Sequence, residues 1–428
     1  MGIPTTTFPQ ASCSNLSRRR RTASIPNVAP IRLEMSMCRP KQECFATTVA
    51  WGSVGIPQSQ RLPNPVLNGR TESREETREH GRPVHRNRRR VTYSKLRCSH
   101  VAVSTLSIAL LAPLYSQGSA AWRDPSHHTV QFVVVDKDVR LEVLDWGGSG
   151  RPVVLLAGGG NTAHVFDEFA PNFTTNYHVY GITRRGFGAS GFSASQTGVD
   201  RLRDDVLAVI DALKLSRPVL VGHSIAGAEL SSVGTSHPDR VAGLVYLEAG
   251  YPYAFDNGKG PAMREFQEIR GPQAPTPGSS DLASFSALQK WDAQVFGFRM
   301  PEAEFRQTWD STSDGRPGKV RAFPGSQMFM TIMMSTKRYT NIPVPALVIF
   351  AIPHVQENWI GKSTDPAVRE AANAYSAALD ALAEKQAKAF EGGVPAAHVI
   401  RLRGTHYVFL SNERDVLHEM RVFLVGLK

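Results

Sequence analysis

The sequence predicts an α/β protein with a mostly parallel eight-stranded sheet, helices on both faces and a helical cap insertion. From residue 128 onward, short apolar runs alternate with segments that have helical periodicity. One apolar run, 218–222, passes through a tight Gly-x-Ser turn into a helix-compatible stretch that ends at about residue 237. This order of strand, turn and helix is the unit from which parallel sheets are built.

Eight runs are assigned to strands by their apolar or alternating character. The first two flank Asp136-Lys137-Asp138, which predicts an antiparallel hairpin. Most of the later runs are wholly apolar, as strands buried on both faces are. The predicted strands are 130–135, 139–144, 152–157, 178–183, 218–222, 241–247, 345–350 and 398–403.

Helices are predicted where apolar residues recur three or four positions apart. Asp365 is a suitable N-cap, and Pro366 follows it at the first helical position, so a helix is expected to begin there. The predicted helices are 200–213, 226–237, 366–392 and 412–427.

Residues 251–340 interrupt this alternation and are rich in Pro, Gly, Met and Phe, which predicts a cap inserted between the sixth and seventh strands. Their large apolar side chains either wall an apolar pocket or form the core of the cap. The helical patches are 262–269, 280–296 and 302–309. The large side chains are Tyr251, Tyr253, Phe255, Trp291, Phe296, Phe298, Met328, Phe329, Met330, Met333 and Met334.

The formal net charge of +11 is confined to the first part of the 428-residue chain. Residues 1–100 hold 18 Lys and Arg against 6 Asp and Glu, whereas the remainder holds 31 against 32. The nearly neutral body gives no basis for a nucleic-acid partner. All four cysteines also lie within residues 1–100, which excludes a disulfide framework or a cysteine metal site in the body.

Residues 1–90 combine arginine runs, scattered Pro and many Ser and Thr with no sustained periodicity. This composition predicts disorder, with a basic arm that binds nucleic acid as the alternative. Residues 91–121 combine a basic flank, an apolar run of about 14 residues and a small-residue site, which is typical of a secretory signal peptide. The run is short for a transmembrane helix, and its alternative is an ordinary apolar helix.

A signal peptide stands at the start of a protein, so we expect translation to begin near Val91 and residues 1–90 to be absent from the native protein. The domain at 122–428 is then secreted or periplasmic, with no stable membrane span. Peptides from residues 22–80 in mass spectra of the native protein would contradict this expectation.

The segment Gly222-His223-Ser224-Ile225-Ala226 has the features of a nucleophile elbow. Small residues two before and two after Ser224 allow its backbone to enter a strained turn without collisions. The turn would lift Ser224 Oγ above the sheet edge. It would also direct the N–H of Ile225, at the start of the helix, toward the place where an oxyanion forms.

A serine hydroxyl needs a base within hydrogen-bond reach, and His406 is the best candidate. It lies in Gly404-Thr405-His406-Tyr407, between the last predicted strand and the last helix, on the same sheet edge as Ser224. A structural loop histidine is the alternative. Among the weaker candidates, His223 is expected to point away from Ser224 Oγ, His354 to line the pocket, and His164 to be a pocket wall or a cap contact.

The base needs an acid that holds its tautomer and stabilises the imidazolium ion. Glu248 ends the strand that follows the elbow strand, where a carboxylate is costly to bury without a partner. A solvated strand-end acid is its alternative role. Glu357, seven residues beyond the next strand, is the less favoured candidate for the acid.

The second oxyanion donor is expected in the turn Ala157-Gly158-Gly159-Gly160-Asn161, because glycines let the backbone approach a substrate closely. Gly159 is the preferred donor and Gly160 the next. The turn lacks both Gly-Lys-Ser/Thr and Gly-x-Gly-x-x-Gly with a later acid, so a phosphate loop is excluded.

These segments together resemble the α/β-hydrolase fold family over residues 128–428. The order of nucleophile, acid and histidine is that of the family. The departures are Ala157 in the usual His-Gly oxyanion turn, Ala226 in place of Gly, and the lack of a clear acid after the seventh strand. The matching segments are Leu156-Ala-Gly-Gly-Gly, Arg185-Gly-Phe-Gly-Ala-Ser, Gly222-His-Ser-Ile-Ala, Leu244-Val-Tyr-Leu-Glu and Gly404-Thr-His-Tyr.

The resemblance implies a serine hydrolase without a metal or organic cofactor, most simply a carboxylesterase acting on a small ester. Some relatives that resemble haloalkane dehalogenases place a Glu after the sixth strand, but those enzymes and epoxide hydrolases use an Asp nucleophile, and Ser224 argues against both chemistries. An amidase, peptidase or lactonase of the same fold is the alternative, as is a catalytically silent binding protein. The expected partner is a small-molecule substrate, with no nucleic acid.

Overall fold

The computed structural model describes residues 122–194 and 198–427. The predicted disordered segment 1–90 and the predicted signal peptide 91–121 therefore lie outside the described residues. Within the described part of the chain, none of the helices combines the length and apolar character needed to cross a bilayer.

The described residues form ten strands, eight of which make one sheet. Within it, the order is first, second, fourth, third, fifth, sixth, ninth and tenth strand. The strands in chain order are β1 (Thr129–Asp136), β2 (Val139–Gly147), β3 (Arg151–Leu156), β4 (Tyr177–Ile182), β5 (Val219–His223), β6 (Gly243–Leu247), β7 (Trp309–Ser311), β8 (Pro317–Val320), β9 (Ala346–His354) and β10 (Ala397–Gly404).

The predicted fold class is confirmed by the strand pairing. β2 pairs antiparallel with β1 and with β4, whereas all the other neighbours in the eight-stranded sheet are parallel. Because parallel strands present their carboxyl ends at one edge, the loops after β3, β5, β6, β9 and β10 are brought together there.

Ten α-helices join these strands in the described residues. Apolar residues of α1, α2 and α8 face one side of the sheet, and those of α10 face the other. The helices are α1 (Val199–Ala212), α2 (Ala226–Ser236), α3 (Met263–Glu268), α4 (Phe285–Phe296), α5 (Glu302–Thr308), α6 (Ser326–Met333), α7 (Asn358–Lys362), α8 (Pro366–Gly393), α9 (Val408–Ser411) and α10 (Glu413–Gly426).

The two faces of the sheet build two separate apolar cores. Along β3, Val154 and Leu156 belong to one core, while Val153 and Leu155 belong to the other. All four side chains are buried. This alternation, which β5, β6 and β9 repeat, explains why the central strands are wholly apolar: both of their faces are covered.

The segment between β6 and β9 contains α3 to α6 and a two-stranded antiparallel hairpin of β7 and β8. Its first three helices lie close to the predicted patches, but the hairpin and α6 were not predicted. The hairpin strands have only three and four residues, too few for a period of two to stand out. Most of its large side chains form core, including Tyr251, Phe255 and Met328, whereas Met334 is exposed.

Candidate active site

The elbow has the geometry that its sequence predicts. β5 ends at His223, and Ser224 then adopts a left-handed backbone with φ +53° before α2 begins at Ala226. A Cβ atom at Gly222 would lie 3.0 Å from the Cβ of Ala226 and from Leu230, so a larger residue would not fit there. Packing therefore favours glycine at position 222.

A second close approach was not predicted. A Cβ atom at Gly227 would lie 1.9 Å from the carbonyl oxygen of Ala249. The backbone N–H of Ser224 also donates to the carbonyl of Leu247 at 3.1 Å. These contacts hold the start of α2 against the end of β6, and so bring the elbow next to Glu248.

Glu248 is fully buried and also has a left-handed backbone, with φ +49°. Its Oε1 accepts a hydrogen bond from the N–H of Ala351 at 2.6 Å. Its Oε2 accepts one from the Tyr251 hydroxyl at 2.8 Å and lies 3.3 Å from Nδ1 of His406. The carboxylate is thus held by the adjacent strand β9 and by its own loop, and it faces the His406 ring.

Charge around Glu248 keeps its carboxylate ionised. Burial raises the pKa of Glu248, but hydrogen bonds and charge from His354 and His406 lower it to about 2. His354 Nε2 lies 3.6 Å from Glu248 Oε2, and its Nδ1 lies 2.6 Å from Asp380 Oδ1. Burial lowers the pKa of His354, but Asp380 and Glu248 raise it to about 9, so His354 is a cation at neutral pH.

His406 lies in the loop between β10 and α9, beside the elbow. Nε2 of His223 is 3.0 Å from the backbone oxygen of His406 and donates to it. Burial and the neighbouring His406 lower the pKa of His223 to about 3, so its ring is neutral. The His223 ring packs among His406, Tyr407 and Phe409, so it positions the histidine loop.

The glycine turn after β3 lies against the elbow. A Cβ atom at Gly158 would lie 3.3 Å from the Ser224 Cβ, and one at Gly159 would lie 2.6 Å from the Phe329 ring. Within residues 122–194 and 198–427, the N–H groups of Gly159 and Ile225 donate no hydrogen bond to a protein acceptor. Both predicted oxyanion donors are therefore available to a ligand.

Buried polar side chains that the sequence pattern did not predict hold this turn. Arg184 donates to the carbonyl oxygens of Ala157 and Gly158 at 2.8 and 3.2 Å, and its Nε is 2.5 Å from Glu229. No sequence signal distinguished Arg184 from the neighbouring Arg185, which instead pairs with a carboxylate on α1.

The other side of the turn is held by Glu304 of α5. Its carboxylate accepts hydrogen bonds from the side chain of Asn161 at 3.0 Å and from the hydroxyl of Thr162 at 2.5 Å. Burial raises the pKa of Glu304, and these donors lower it, to about 7 overall. The hydroxyl of Tyr407 donates to Asn161 Oδ1 at 2.9 Å, which links the turn to the histidine loop.

Two acids that follow β9, Glu357 and Asp365, each accept a hydrogen bond from a residue two positions later. Glu357, directly before α7, accepts a hydrogen bond at 2.6 Å from the indole of Trp359 in that helix, whereas Glu248 lies against His406. Asp365 caps α8 as predicted, because its side chain accepts from the N–H of Ala367.

His164 has carboxylate partners that the sequence did not predict. The side chain is buried among the carboxylates of Asp124, Glu142 and Asp167. Asp124 and Asp167 together with His128 and His164 form a cluster whose donor atoms all lie within 4.8 Å of one another. Among the residues that the structure describes, this cluster has the residue types that can hold a metal ion.

The arrangement at the carboxyl edge of the sheet is suited to activating a hydroxyl group. A carboxylate that faces one nitrogen of an imidazole orients the ring, and the other nitrogen can then accept a proton. A serine in a strained turn at the start of a helix has N–H donors beside it, which can stabilise negative charge on a bound carbonyl oxygen.

Comparisons with known proteins agree with this fold. Epoxide hydrolase 4 of Mus musculus is 28% identical over 146 residues, which are 32% of this chain and 39% of that protein. The (E)-2-((N-methylformamido)methylene)succinate hydrolase of Acinetobacter baylyi is 28% identical over 147 residues, 34% of this chain and 52% of that protein. The chain thus matches about half the length of these relatives or less.

A solved structure, that of E-2-(acetamidomethylene)succinate hydrolase, aligns with 70% of this chain and 100% of that chain at 16% identity and a TM-score of 0.47. The model of the alpha/beta hydrolase family matches residues 153–419, from β3 to α10, which is well over half of the chain. The elbow, the glycine turn, Glu248 and His406 all fall inside the match, and the chain belongs to the alpha/beta hydrolase family.

Proposed function

We propose that this protein is a serine hydrolase that cleaves small carboxylic esters through an acyl-enzyme. The observation that carries the proposal is the contact of 3.3 Å between buried Glu248 and His406, beside the strained elbow of Ser224. An ionised carboxylate, an imidazole and a hydroxyl in this order form the unit that activates a serine for attack.

In the acylation step, Ser224 Oγ attacks the ester carbonyl carbon while His406 Nε2 removes its proton. The Nδ1–H of His406 stays directed at Glu248, whose charge stabilises the imidazolium ion that forms. The carbonyl π electrons move to the oxygen, and the N–H groups of Gly159 and Ile225 donate to that oxyanion. Collapse of this intermediate breaks the bond to the alcohol, which leaves with the proton from His406.

In the deacylation step, water replaces the alcohol. His406 removes a proton from the water as its oxygen attacks the acyl carbon, and the same two N–H groups hold the second oxyanion. Collapse returns the proton to Ser224 Oγ and releases the carboxylic acid. The atoms balance as one ester and one water to one acid and one alcohol.

Amide cleavage by the same residues is the second candidate, because one relative is named for an N-methylformamido compound. Epoxide opening is less well supported, although relatives are named epoxide hydrolases. The family resemblance associates epoxide opening with an Asp nucleophile, whereas this chain has Ser224 at the elbow.

The test is hydrolysis of 4-nitrophenyl acetate, butyrate and octanoate by the full chain and by Ser224→Ala. We expect kcat to fall by about 10⁴- to 10⁶-fold in the variant, because the nucleophile is lost. Ser231→Ala is the matched control: this buried serine of α2 bonds the Tyr246 hydroxyl, and its loss should leave kcat within a few-fold. A fluorophosphonate probe should label Ser224 and no other serine.

The outcomes separate the alternatives. Labelling of Ser224 without turnover of any ester would transfer the proposal to amide or lactone substrates. A folded protein that is neither labelled nor active would contradict catalysis and favour a binding protein on this scaffold.

A further inference from the structure

Two histidines and two aspartates from distant parts of the chain form one cluster. Asp124 and His128 precede β1, whereas His164 and Asp167 lie in or just after the 3-10 helix Ala163–Phe166 that follows the turn. The side chains of His128, His164 and Asp167 are 1–4% exposed, and that of Asp124 is 25% exposed. The cluster is therefore almost completely buried, and only Asp124 is partly exposed to solvent.

Its dimensions fit a small four-coordinate ion. His128 Nδ1 and His164 Nδ1 lie 2.8 and 3.1 Å from the Asp167 oxygens, and His164 Nδ1 lies 3.5 Å from Asp124 Oδ2. A tetrahedral ion with bonds of about 2.0–2.1 Å has ligand atoms about 3.3–3.4 Å apart. These three contacts are close to that separation, and because the donor atoms of all four residues lie within 4.8 Å of one another, the cluster has only to contract around the ion.

A neutral His164 ring cannot donate a hydrogen bond to the carboxylates on both of its sides. Nδ1 faces the carboxylates of Asp124 and Asp167, while Nε2 faces Glu142 Oε1 at 3.7 Å and is buried without a hydrogen bond. A neutral imidazole has one N–H, so either tautomer leaves a lone pair directed at a carboxylate. The ring needs a second positive group, which is a proton or a metal ion.

A metal ion bound to His164 Nδ1 would leave Nε2–H to donate to a carboxylate. Metal-bound histidines commonly donate their other ring N–H to a carboxylate, which fixes the tautomer. Glu142 has the position of that outer carboxylate for His164. The indole N–H of Trp146 donates to Asp167 Oδ1 at 3.1 Å, so the carboxylate of Asp167 is also oriented by a hydrogen bond from a residue outside the cluster.

We propose that Asp124, His128, His164 and Asp167 bind one zinc ion. Two imidazole nitrogens and two carboxylate oxygens are donors that zinc accepts in four-coordinate sites. The two aspartates neutralise its charge. Because all four positions come from protein, the site is structural: it joins the segment before β1 to the 3-10 helix that follows the glycine turn, and it takes no part in the reaction at Ser224.

The test is the zinc content of the full chain, purified without a polyhistidine tag. We expect one equivalent of zinc in the wild type and its loss in Asp124→Asn and in His128→Gln. His178→Gln is the matched control, because this histidine also pairs with an aspartate, Asp145 at 2.8 Å, but outside the cluster, and it should keep the zinc. Glu142→Gln should weaken zinc binding by about 10- to 100-fold, as loss of an outer partner does.

Two further measurements remain informative if a variant does not fold. Removal of zinc from the wild type with a chelator should lower Tm, and zinc should restore it. Cobalt added to the chelated protein should give the intense visible bands of a tetrahedral ion, absent from Asp124→Asn. Equal zinc content in the wild type and both ligand variants, or no change of Tm with zinc, would overturn the proposal and leave the second proton on His164 as the explanation.

Discussion

At the scale of single residues, the candidate site depends on two strained backbones. Ser224 and Glu248 both have φ near +50°, a region that residues with a side chain rarely occupy. Each stands directly after a strand, β5 or β6, and the two strands are neighbours in the sheet. Strain of this kind persists where the surrounding structure holds it, and it is common at functional sites.

The first prediction assigns the acid. Glu248→Gln should lower kcat for 4-nitrophenyl esters by about 10³- to 10⁴-fold, because a neutral amide cannot stabilise the His406 imidazolium. Glu357→Gln is the control and should stay within a few-fold of the wild type, since Glu357 bonds Trp359. The measurement is steady-state kinetics with Tm recorded for each variant. The reverse result, with Glu357→Gln inactive, would assign the acid to Glu357.

The second prediction concerns the pH dependence of stability. His354 has a folded pKa of about 9 against an ordinary value of 6.5, because Asp380 and Glu248 outweigh the effect of burial. A raised pKa of this kind gives stability that is complete below pH 6.5 and is lost as pH rises through 9. The wild type should therefore lose on the order of 3 kcal/mol of unfolding free energy over this range relative to His354→Gln.

Urea unfolding of both proteins at pH 6 and pH 10 measures this difference. Asp380→Asn removes one of the two carboxylates beside His354, so its loss of stability should begin at a lower pH than in the wild type. An equal difference between wild type and His354→Gln at both pH values would contradict a charged His354.

At the scale of elements, the glycine turn after β3 is held by polar contacts as well as by packing. Arg184 binds two of its carbonyl oxygens, and Glu304 binds Asn161 and Thr162. These contacts keep the Gly159 N–H beside the elbow. A donor that is already oriented stabilises an oxyanion without reorganisation during the reaction, so the holding residues are expected to matter for rate as well as stability.

The third prediction tests this holding arrangement. Arg184→Met should destabilise the protein by about 3–5 kcal/mol, because it leaves the carboxylate of Glu229 buried without its cation. Adding Glu229→Gln should recover part of that loss. The control is Arg240→Met, whose partner Asp211 is largely exposed, and it should cost about 0–1 kcal/mol.

Urea unfolding gives the free energies, and ester hydrolysis by the double variant reports on the turn alone. A double variant that regains stability but stays slow would assign Arg184 to positioning the turn. Equal costs for Arg184→Met and Arg240→Met would show that the buried pair has no special role.

Most of the elements could be predicted because their signals are local. The apolar runs of β3, β5 and β6 and the cap of α8 by Asp365 depend on a few adjacent residues. The elbow could be predicted for the same reason. The side chains that support the site could not be predicted. Asp380, Glu304 and Arg184 are distant from the site residues in sequence, and only the folded chain brings them into contact.

At the scale of the whole molecule, the difference between local signals and contacts of distant residues explains why the sequence did not predict a metal site. The four residues of the cluster fall into two pairs separated by more than thirty residues, and neither pair has the spacing of a known metal motif. The first pair precedes β1 and the second follows β3, so the two pairs come together only in the folded chain. The site depends on topology, which the residue pattern predicts only as a fold class.

The fourth prediction concerns the N-terminus of the mature protein. Residues just after the predicted cleavage site contact the rest of the domain: the Trp122 ring lies 4.3 Å from the Arg306 guanidinium, and Asp124 joins the histidine cluster. Cleavage after Ala121 would keep these contacts. We propose that the protein is exported and processed there, because small residues at Ser119 and Ala121 match a signal-peptidase site.

Intact mass and N-terminal sequencing of the exported native protein measure this directly, and we expect a chain that starts at Trp122. Ala121→Arg should block cleavage, because a large charged residue does not fit the position before the cut, whereas Ala120→Arg should be processed normally. A cellular protein that retains residues 22–80 would contradict both export and the start near Val91. In that case the basic charge of residues 1–100 would belong to the working protein, and a nucleic-acid partner would have to be tested.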